Sequence, residues 1–127
     1  GKIDQDDKVL HYLIDFTQES VQELIAEKAL ELKKSGLFDG IMLDWWNEDF
    51  ATTAEIGDWS RTVLTLEKEL TARIAILQKI RSKVGDDFLI MVNSNKRKIP
   101  RSASYVNGVF MECDKDKFLN EDLLPAV

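Results

Sequence analysis

The sequence predicts an α/β fold built on a parallel sheet, and three observations support this prediction. Short apolar runs that suit buried strands alternate with longer segments whose apolar residues recur every three or four positions. The apolar runs lack the polar alternation of a strand with one solvated face, which is typical of parallel sheets covered on both sides. The resulting element order, β-α-β-α-β-loop-β, favours parallel strands joined by right-handed crossovers.

The first predicted unit is a strand near residues 9–16 followed by a helix near 18–35. The strand contains the apolar pair Leu13-Ile14 and ends at Asp15. The helix is amphipathic, and Gly36 stands where a left-handed C-cap belongs. Its apolar stripe is formed by Val21, Leu24, Ile25, Ala29 and Leu32.

The second unit begins with a strand near 38–44, for which we expect both faces to be buried because it lacks polar alternation. This strand ends at Asp44. A long helix is predicted near 58–84, closed by Gly85. At roughly 26 residues it would measure about 39 Å, so one end is expected to project beyond the sheet. Its apolar spacing also resembles heptads, which leaves a coiled-coil contact as an alternative.

Two more strands complete the predicted sheet. One lies near 87–93 and ends at Asn93, with Asn95 two residues later. The other lies near 108–112 and ends at Glu112. The basic run at 96–98, between these strands, is interpreted as a solvated loop.

Composition excludes several classes of function. The formal net charge of −6 argues against a general nucleic-acid binder, which needs a basic face to meet phosphates. Cys113 is the only cysteine, so the chain can form neither an internal disulfide nor a zinc site of several thiolates. Because no apolar run approaches the roughly 20 residues that a bilayer requires, we expect no membrane span.

Every predicted strand ends at a polar side chain, although an apolar strand has no structural need for one. The residues concerned are Asp15, Asp44, Asn93 with Asn95, and Glu112. In parallel α/β folds functional groups collect at the carboxyl ends of the strands, so these five side chains are expected to share one rim of the sheet.

Asp44 and Glu112 are the candidate catalytic pair, because glycosidic cleavage needs two carboxyl groups that flank one bond. Structural interpretations stay open for both residues. Asp44 could cap a helix or a loop. Glu112 could be a solvated strand end or form a salt bridge to Lys115 or Lys117.

Trp45 and Trp46 follow Asp44 directly and are candidate substrate-binding residues, because tryptophan faces stack well on the apolar faces of sugar rings. Consecutive residues on an extended segment point in opposite directions. We therefore expect at most one of the two to face the site and the other to lie in the core.

Four segments resemble a known family. The segment 38–46, FDGIMLDWW, looks like the FDGIxLD strand of glycoside-hydrolase TIM barrels and their uncharacterised relatives, and 13–17 resembles the strand that precedes it there. The segments 93–95 and 107–112 resemble the VNxN and NGxFxE strands of a group of glycosidase-like proteins within that set. These motifs span the chain from about residue 9 to 114.

The resemblance implies a (β/α)₈ barrel in which Asp44 ends the fourth strand, where such families commonly have their catalytic aspartate. A partner carboxylate often ends the fifth or sixth strand, which would be Glu112. The implied function is hydrolysis of an oligo- or polysaccharide, with Asp44 as nucleophile or transition-state stabiliser and Glu112 as general acid/base. Asp15, Asn93 and Asn95 would then bind sugar hydroxyls. Cofactors are not implied, and the usual location of such relatives is extracellular.

A complete barrel takes about 250 residues and eight strands, of which this chain offers about half. We therefore expect residues 1–127 to form a partial barrel domain, completed by another barrel half or by a second copy.

Two other functions remain open. One is a non-catalytic carbohydrate-binding or interaction domain derived from such a barrel. The other is a metal-dependent barrel enzyme in which Asp44, Glu48 and Asp49 hold Mg²⁺ or Ca²⁺, cations that prefer oxygen ligands.

Overall fold

A computed structural model describes residues 2–3, 9–11, 14–48, 65–95 and 98–112, the first two ranges by their backbone only. The elements in chain order are strands β1 (Lys2–Ile3) and β2 (Val9–His11), helix α1 (Glu19–Lys34), strand β3 (Gly40–Leu43), helix α2 (Leu66–Val84), strand β4 (Leu89–Asn93), a 3₁₀ turn (Ala103–Tyr105) and strand β5 (Gly108–Phe110).

The centre of the fold is a three-stranded parallel sheet in the order β3-β4-β5. Leu43 lies opposite Val92, and Asn93 lies opposite Phe110, so the three strands end at the same edge. Gly40 permits the close approach of β3 and β4, because a Cβ there would lie 2.3 Å from the carbonyl oxygen of Leu89. The predicted α/β class with a parallel sheet is confirmed.

The described residues of the first predicted strand, near 9–16, do not join this sheet. Among them β2 pairs antiparallel with β1 in a separate two-stranded sheet. Ile14 and Asp15 lie outside any strand, and Asp15 accepts hydrogen bonds from the backbone and side chain of Thr17. These local bonds compete with extended structure and lead the chain into α1, so the prediction of a parallel strand ending at Asp15 is wrong.

The two helices differ in how well the sequence located them. α1 occupies the predicted segment, and Gly36 follows it with a left-handed φ of 70°. α2 begins only at Leu66, because Thr65 is extended and its hydroxyl caps the helix by accepting from the Lys68 backbone N–H at 3.2 Å. The predicted start near residue 58 is therefore wrong, and residues 49–64 lie outside the described ranges.

Both helices pack on one face of the sheet. The core joins Ile90 and Val92 of β4 to Leu77 and Ile80 of α2, and Ala26 of α1 lies in the same cluster. The second half of the α2 stripe, which contains Leu77, Ile80 and Val84, is therefore buried within this chain. Lys79 of α2 also donates to Glu23 of α1 at 2.7 Å, and this bond lowers the pKa of Glu23 and raises that of Lys79.

The opposite face of the sheet is apolar and open. Met42, Met91 and Phe110 point to this face and are 52%, 41% and 46% exposed. The expectation that the strand near 38–44 is buried on both faces is thus wrong for this chain, since the helices cover one face only. Within the described residues, no helix is long and apolar enough to cross a membrane.

The packing predicts that a smaller side chain at position 77 destabilises the fold, because Leu77 is fully buried between the helices and the sheet. Leu77→Ala should lower the free energy of unfolding by about 2–5 kcal/mol, because it removes buried methyl groups and leaves a cavity. Leu24→Ala, at a position of α1 that is 55% exposed, is the control and should change it by no more than about 0.5 kcal/mol. Urea unfolding followed by circular dichroism measures both. Equal losses would contradict the assigned core.

Candidate functional site

Asp44, Asn93 and Glu112 form one hydrogen-bonded group at the carboxyl edge of the sheet. The Nδ2 of Asn93 donates to Oδ1 of Asp44 at 2.9 Å and to Oε2 of Glu112 at 2.8 Å. These residues stand two positions after Met42, Met91 and Phe110, the side chains on the open face of the sheet. Because side chains on a strand alternate between its two faces, all three lie on the open face, at its rim. The predicted convergence of Asp44 and Glu112 is therefore present in the structure.

The shared amide limits how far apart the two bonded oxygens lie. Both are within 2.9 Å of the same nitrogen, so they cannot be separated by more than about twice that distance. Within the described part of the chain, the bonds to the two carboxylates all go to Oδ1 of Asp44 and Oε2 of Glu112. These neighbours therefore do not bond to Oδ2 of Asp44 or to Oε1 of Glu112, which can interact with a ligand.

Asn93 lies at the end of the central strand β4 and is only 3% exposed. Its Oδ1 accepts the backbone N–H of Asn95 at 2.9 Å, while both protons of its amide are engaged by the carboxylates. The sequence suggested that Asn93 binds a sugar hydroxyl. With its amide buried and in use, Asn93 is better placed to hold the two carboxylates than to contact a substrate.

Asn95 reaches Glu112 from the start of the β4–β5 loop. Its Nδ2 donates to Oε2 of Glu112 at 3.1 Å, and its backbone adopts a left-handed φ of 57°, which asparagine tolerates better than most residues. Its Oδ1 is buried without a hydrogen-bond partner among the described residues. Asn95 therefore belongs to the site, on the side of Glu112.

Asp44 is held from its own strand as well. Its Oδ1 accepts the backbone N–H of Trp45 at 2.8 Å. Trp45 has a left-handed φ of 53°, a strained conformation for a bulky residue, and such strain concentrates at functional sites. The indole of Trp45 is 47% exposed beside Asp44, so this is the tryptophan that is available to a ligand.

Trp46, by contrast, is a core residue. Its indole N–H lies 2.9 Å from the Ser102 hydroxyl and 3.1 Å from Oε1 of Glu48, and the Arg73 guanidinium lies 5.4 Å from the centre of its ring. Its backbone N–H donates to the carbonyl of Asn93 at 2.7 Å and so continues the β3–β4 pairing. The suggestion that Trp46 binds substrate is corrected: it supports the rim from below, as expected for one member of the pair.

Glu48 is buried and anchors the β4–β5 loop. Its carboxylate accepts the backbone N–H groups of Arg101 and Ser102, at 2.5 and 3.3 Å, and the hydroxyl of Ser102. These donors occupy both carboxylate oxygens of Glu48, which the hypothesis of a Mg²⁺ or Ca²⁺ site needs as ligands. Asp49, another ligand in that hypothesis, lies outside the described residues. In the described ranges, no group of three or more His, Cys, Asp or Glu side chains could hold a metal ion.

Asp15 does not bond to the group at the rim. Its Oδ1 accepts from the backbone and the hydroxyl of Thr17, and its Oδ2 accepts from Gln18 at 3.1 Å. These bonds, chiefly the one from the Thr17 hydroxyl, hold the pKa of Asp15 below its usual value. The turn still lies close to Asp44, because Ile14, Phe16 and Asp44 all line one apolar pocket of about 240 Å³.

The structure thus unites Asp44, Asn93, Asn95 and Glu112, leaves Trp45 exposed beside them, and assigns Asp15 and Trp46 to structural tasks. No sequence pattern indicated that Glu48 anchors a loop. For the bridge through Asn93, the one available sign was that Asp44, Asn93 and Glu112 each end a predicted strand. Lys115 and Lys117, the alternative partners of Glu112, lie outside the described residues.

Comparison of the chain with protein-family models, with curated proteins and with solved structures finds no match.

The bonds of Glu48 predict that Glu48→Gln is destabilising. The new NH₂ group would face a backbone N–H or the other donors of Ser102 and Trp46, so we expect the free energy of unfolding to fall by about 1–3 kcal/mol. Glu27→Gln, an exposed change on α1, is the control and should be nearly neutral. Chemical denaturation measures both variants, and equal stability of the two would contradict the anchoring role.

The turn at Asp15 predicts a pH dependence. Because the folded-state pKa of Asp15 is lowered, its contribution to stability is present above the unfolded value of 3.8 and is lost as the pH falls through the lowered value. Asp15→Asn should therefore be less stable than the wild type at about pH 6, and the difference should shrink toward about pH 3. Thermal unfolding across this range measures it. A difference that grows on acidification would exclude the assigned turn.

Proposed function

We propose that this chain forms the catalytic face of a glycoside hydrolase, with Asp44 and Glu112 as the carboxylate pair. The observation that supports this proposal is the bridge through Asn93, which joins one oxygen of each carboxylate at the rim of a parallel sheet. Glycosidases that retain anomeric configuration hold their carboxyl groups about 5–5.5 Å apart, whereas inverting enzymes leave roughly 6.5–9.5 Å for a water molecule. Because both bonded oxygens lie within 2.9 Å of the same nitrogen, their separation is below the inverting range, so we propose a retaining mechanism.

The surroundings of the two carboxylates assign their roles. Asp44 is short, and Oδ1 is held by the Trp45 backbone and by Asn93, so Oδ2 is the oxygen that would attack the anomeric carbon. Glu112 has the longer side chain and would reach the glycosidic oxygen with Oε1, first as acid and then as base toward water. In the second step water attacks the anomeric carbon of the covalent glycosyl-enzyme, its proton goes to Glu112, and the sugar leaves the Asp44 carboxylate.

Trp45 supplies a surface for the sugar. Its half-exposed indole follows Asp44 directly, and an aromatic face beside a nucleophile can stack on the apolar face of a pyranose ring. A carbohydrate is thus the proposed substrate. Its sugar and linkage depend on residues beyond this group.

We further propose that the sheet belongs to a TIM-type barrel. Its strands pair in chain order and its helices lie on one face, as in a barrel wall, while the open face carries apolar side chains below the polar rim. In a barrel this face is the packed interior. Further β/α units, from another barrel half or a second copy, would cover Met42, Met91 and Phe110.

A second candidate is a non-catalytic carbohydrate-binding domain. It is favoured by the two N–H donors, from Asn93 and Asn95, that meet the same oxygen of Glu112. The two amides hold this carboxylate in place, where its other oxygen can accept hydrogen bonds from sugar hydroxyls without any bond being cleaved. Glycan binding without hydrolysis would distinguish this function from catalysis.

The proposal predicts the effects of two isosteric substitutions in the full-length protein. Asp44→Asn should lower kcat on a cleavable glycan by about 10³-fold or more, because the nucleophile is lost. Glu112→Gln should lower it by about 10²–10⁴-fold, and least for substrates with good leaving groups. Hydrolysis is followed against a glycan panel, and NMR identifies the anomer formed first.

Asp39→Asn is the matched control, since Asp39 is exposed at the opposite end of β3 and should tolerate the change. Undiminished turnover in both site variants would exclude the assignment. Inversion of the anomeric centre would exclude the covalent mechanism.

A further inference from the structure

We propose that Asn93 is the positioning residue of the site: its amide holds Asp44 and Glu112 as a pair, in an orientation set by the backbone of Asn95. The catalytic consequence of this inference rests on the proposed function. The positioning itself rests only on the contacts of the described residues.

The first argument is the place of Asn93 in the sheet. β4 is hydrogen-bonded on both sides, so its last residue is fixed relative to β3 and to β5. Asp44 follows β3 and Glu112 follows β5, each just beyond its own strand. A side chain on the central strand is the shortest link between these two exits, and Asn93 makes that link with one nitrogen.

The second argument is the orientation of the amide. An asparagine side chain can rotate so that its oxygen and nitrogen exchange places. In Asn93 this exchange would turn Oδ1 toward two carboxylates and the NH₂ toward the backbone N–H of Asn95. All three contacts would become repulsive, so the N–H of Asn95 locks the side chain in its donating orientation.

The third argument is electrostatic. Two carboxylates that share one donor repel each other when both are charged, and the repulsion is stronger at a partly buried site than in water. The two amide protons of Asn93 bring partial positive charge between them without adding a net charge. Asn93 therefore holds the pair at a separation that the two charges would otherwise oppose.

A direct test uses the side-chain amide of Asn93 in ¹⁵N-¹H NMR spectra of the full-length protein, assigned by its absence in Asn93→Asp. Asp44→Asn should shift chiefly one of the two amide protons, and Glu112→Gln chiefly the other. The side-chain amide of Asn107, whose oxygen accepts from the Ile90 N–H, is the internal control and should not move. An Asn93 amide unaffected by both substitutions would overturn the inference, whatever the protein hydrolyses.

The kinetic test is Asn93→Asp, which keeps the shape of the side chain but removes both donated protons. We expect kcat to fall by about 10²-fold, the cost of misplacing reacting groups by about 1 Å, with KM changed less than about threefold. Thermal unfolding reports whether the variant is folded. Asn93→Ser, which adds no charge between the carboxylates, is the second variant and should show the same separation of kcat from KM.

Asn95→Gly is the matched comparison. Glycine accepts the left-handed backbone of Asn95 and keeps the N–H that locks Asn93, while only the side-chain bond to Glu112 is lost. Its kcat should therefore fall less than that of Asn93→Asp. If Asp44→Asn and Glu112→Gln abolish hydrolysis but both Asn93 variants keep full kcat, the positioning role is excluded while the glycosidase function stands. If no variant loses activity, the glycosidase function is excluded and the NMR result alone decides the role of Asn93.

Discussion

The parallel register of β4 with its two neighbours is the constraint on which the site depends. Leu43 lies opposite Val92 and Asn93 lies opposite Phe110, so the chain leaves β3 and β5 on either side of the end of β4. Asp44 and Glu112 are 68 positions apart in the chain, and no local interaction could bring them together. The sheet does so, because its hydrogen-bond ladder sets the level at which each strand ends.

The two faces of that sheet differ in what covers them. The face covered by α1 and α2 contains the core, with Ile90 and Val92 fully buried against the helices. The open face bears Met42, Met91 and Phe110 and then the polar group at its rim. In the barrel proposed above, this face would be the interior wall and the polar rim its catalytic end. The same open face explains why the sequence pattern is apolar on both sides of each strand, although the helices cover only one.

A second layer of polar contacts supports the rim without belonging to it. Glu48 ties the segment after β3 to the loop between β4 and β5 through the backbone of Arg101 and Ser102, and Trp46 packs in the core beneath. Buried polar groups of this kind are stable only when their hydrogen bonds are satisfied, as those of Glu48 are. They hold the backbone around Asp44 while Trp45 adopts its strained conformation.

The local elements and the identity of the polar rim follow from sequence patterns alone. The period of apolar residues located α1, the apolar runs located β3, β4 and β5, and the residues that end these strands pointed to Asp44, Asn93 and Glu112. These signals are local, and each arises from side chains that face one side of one element. The predictions for the start of α2 and for the segment at Asp15 were wrong. The Thr65 hydroxyl caps α2 by accepting the Lys68 N–H, and the Thr17 hydroxyl donates to the Asp15 carboxylate. Apolar periodicity does not report such local hydrogen bonds. Three features follow only from tertiary contacts: Asn93 bridges the carboxylates, Trp46 is buried while Trp45 is exposed, and Glu48 anchors a loop. Each depends on which strand lies next to which and on a hydrogen bond between distant parts of the chain, and neither can be inferred from local sequence patterns.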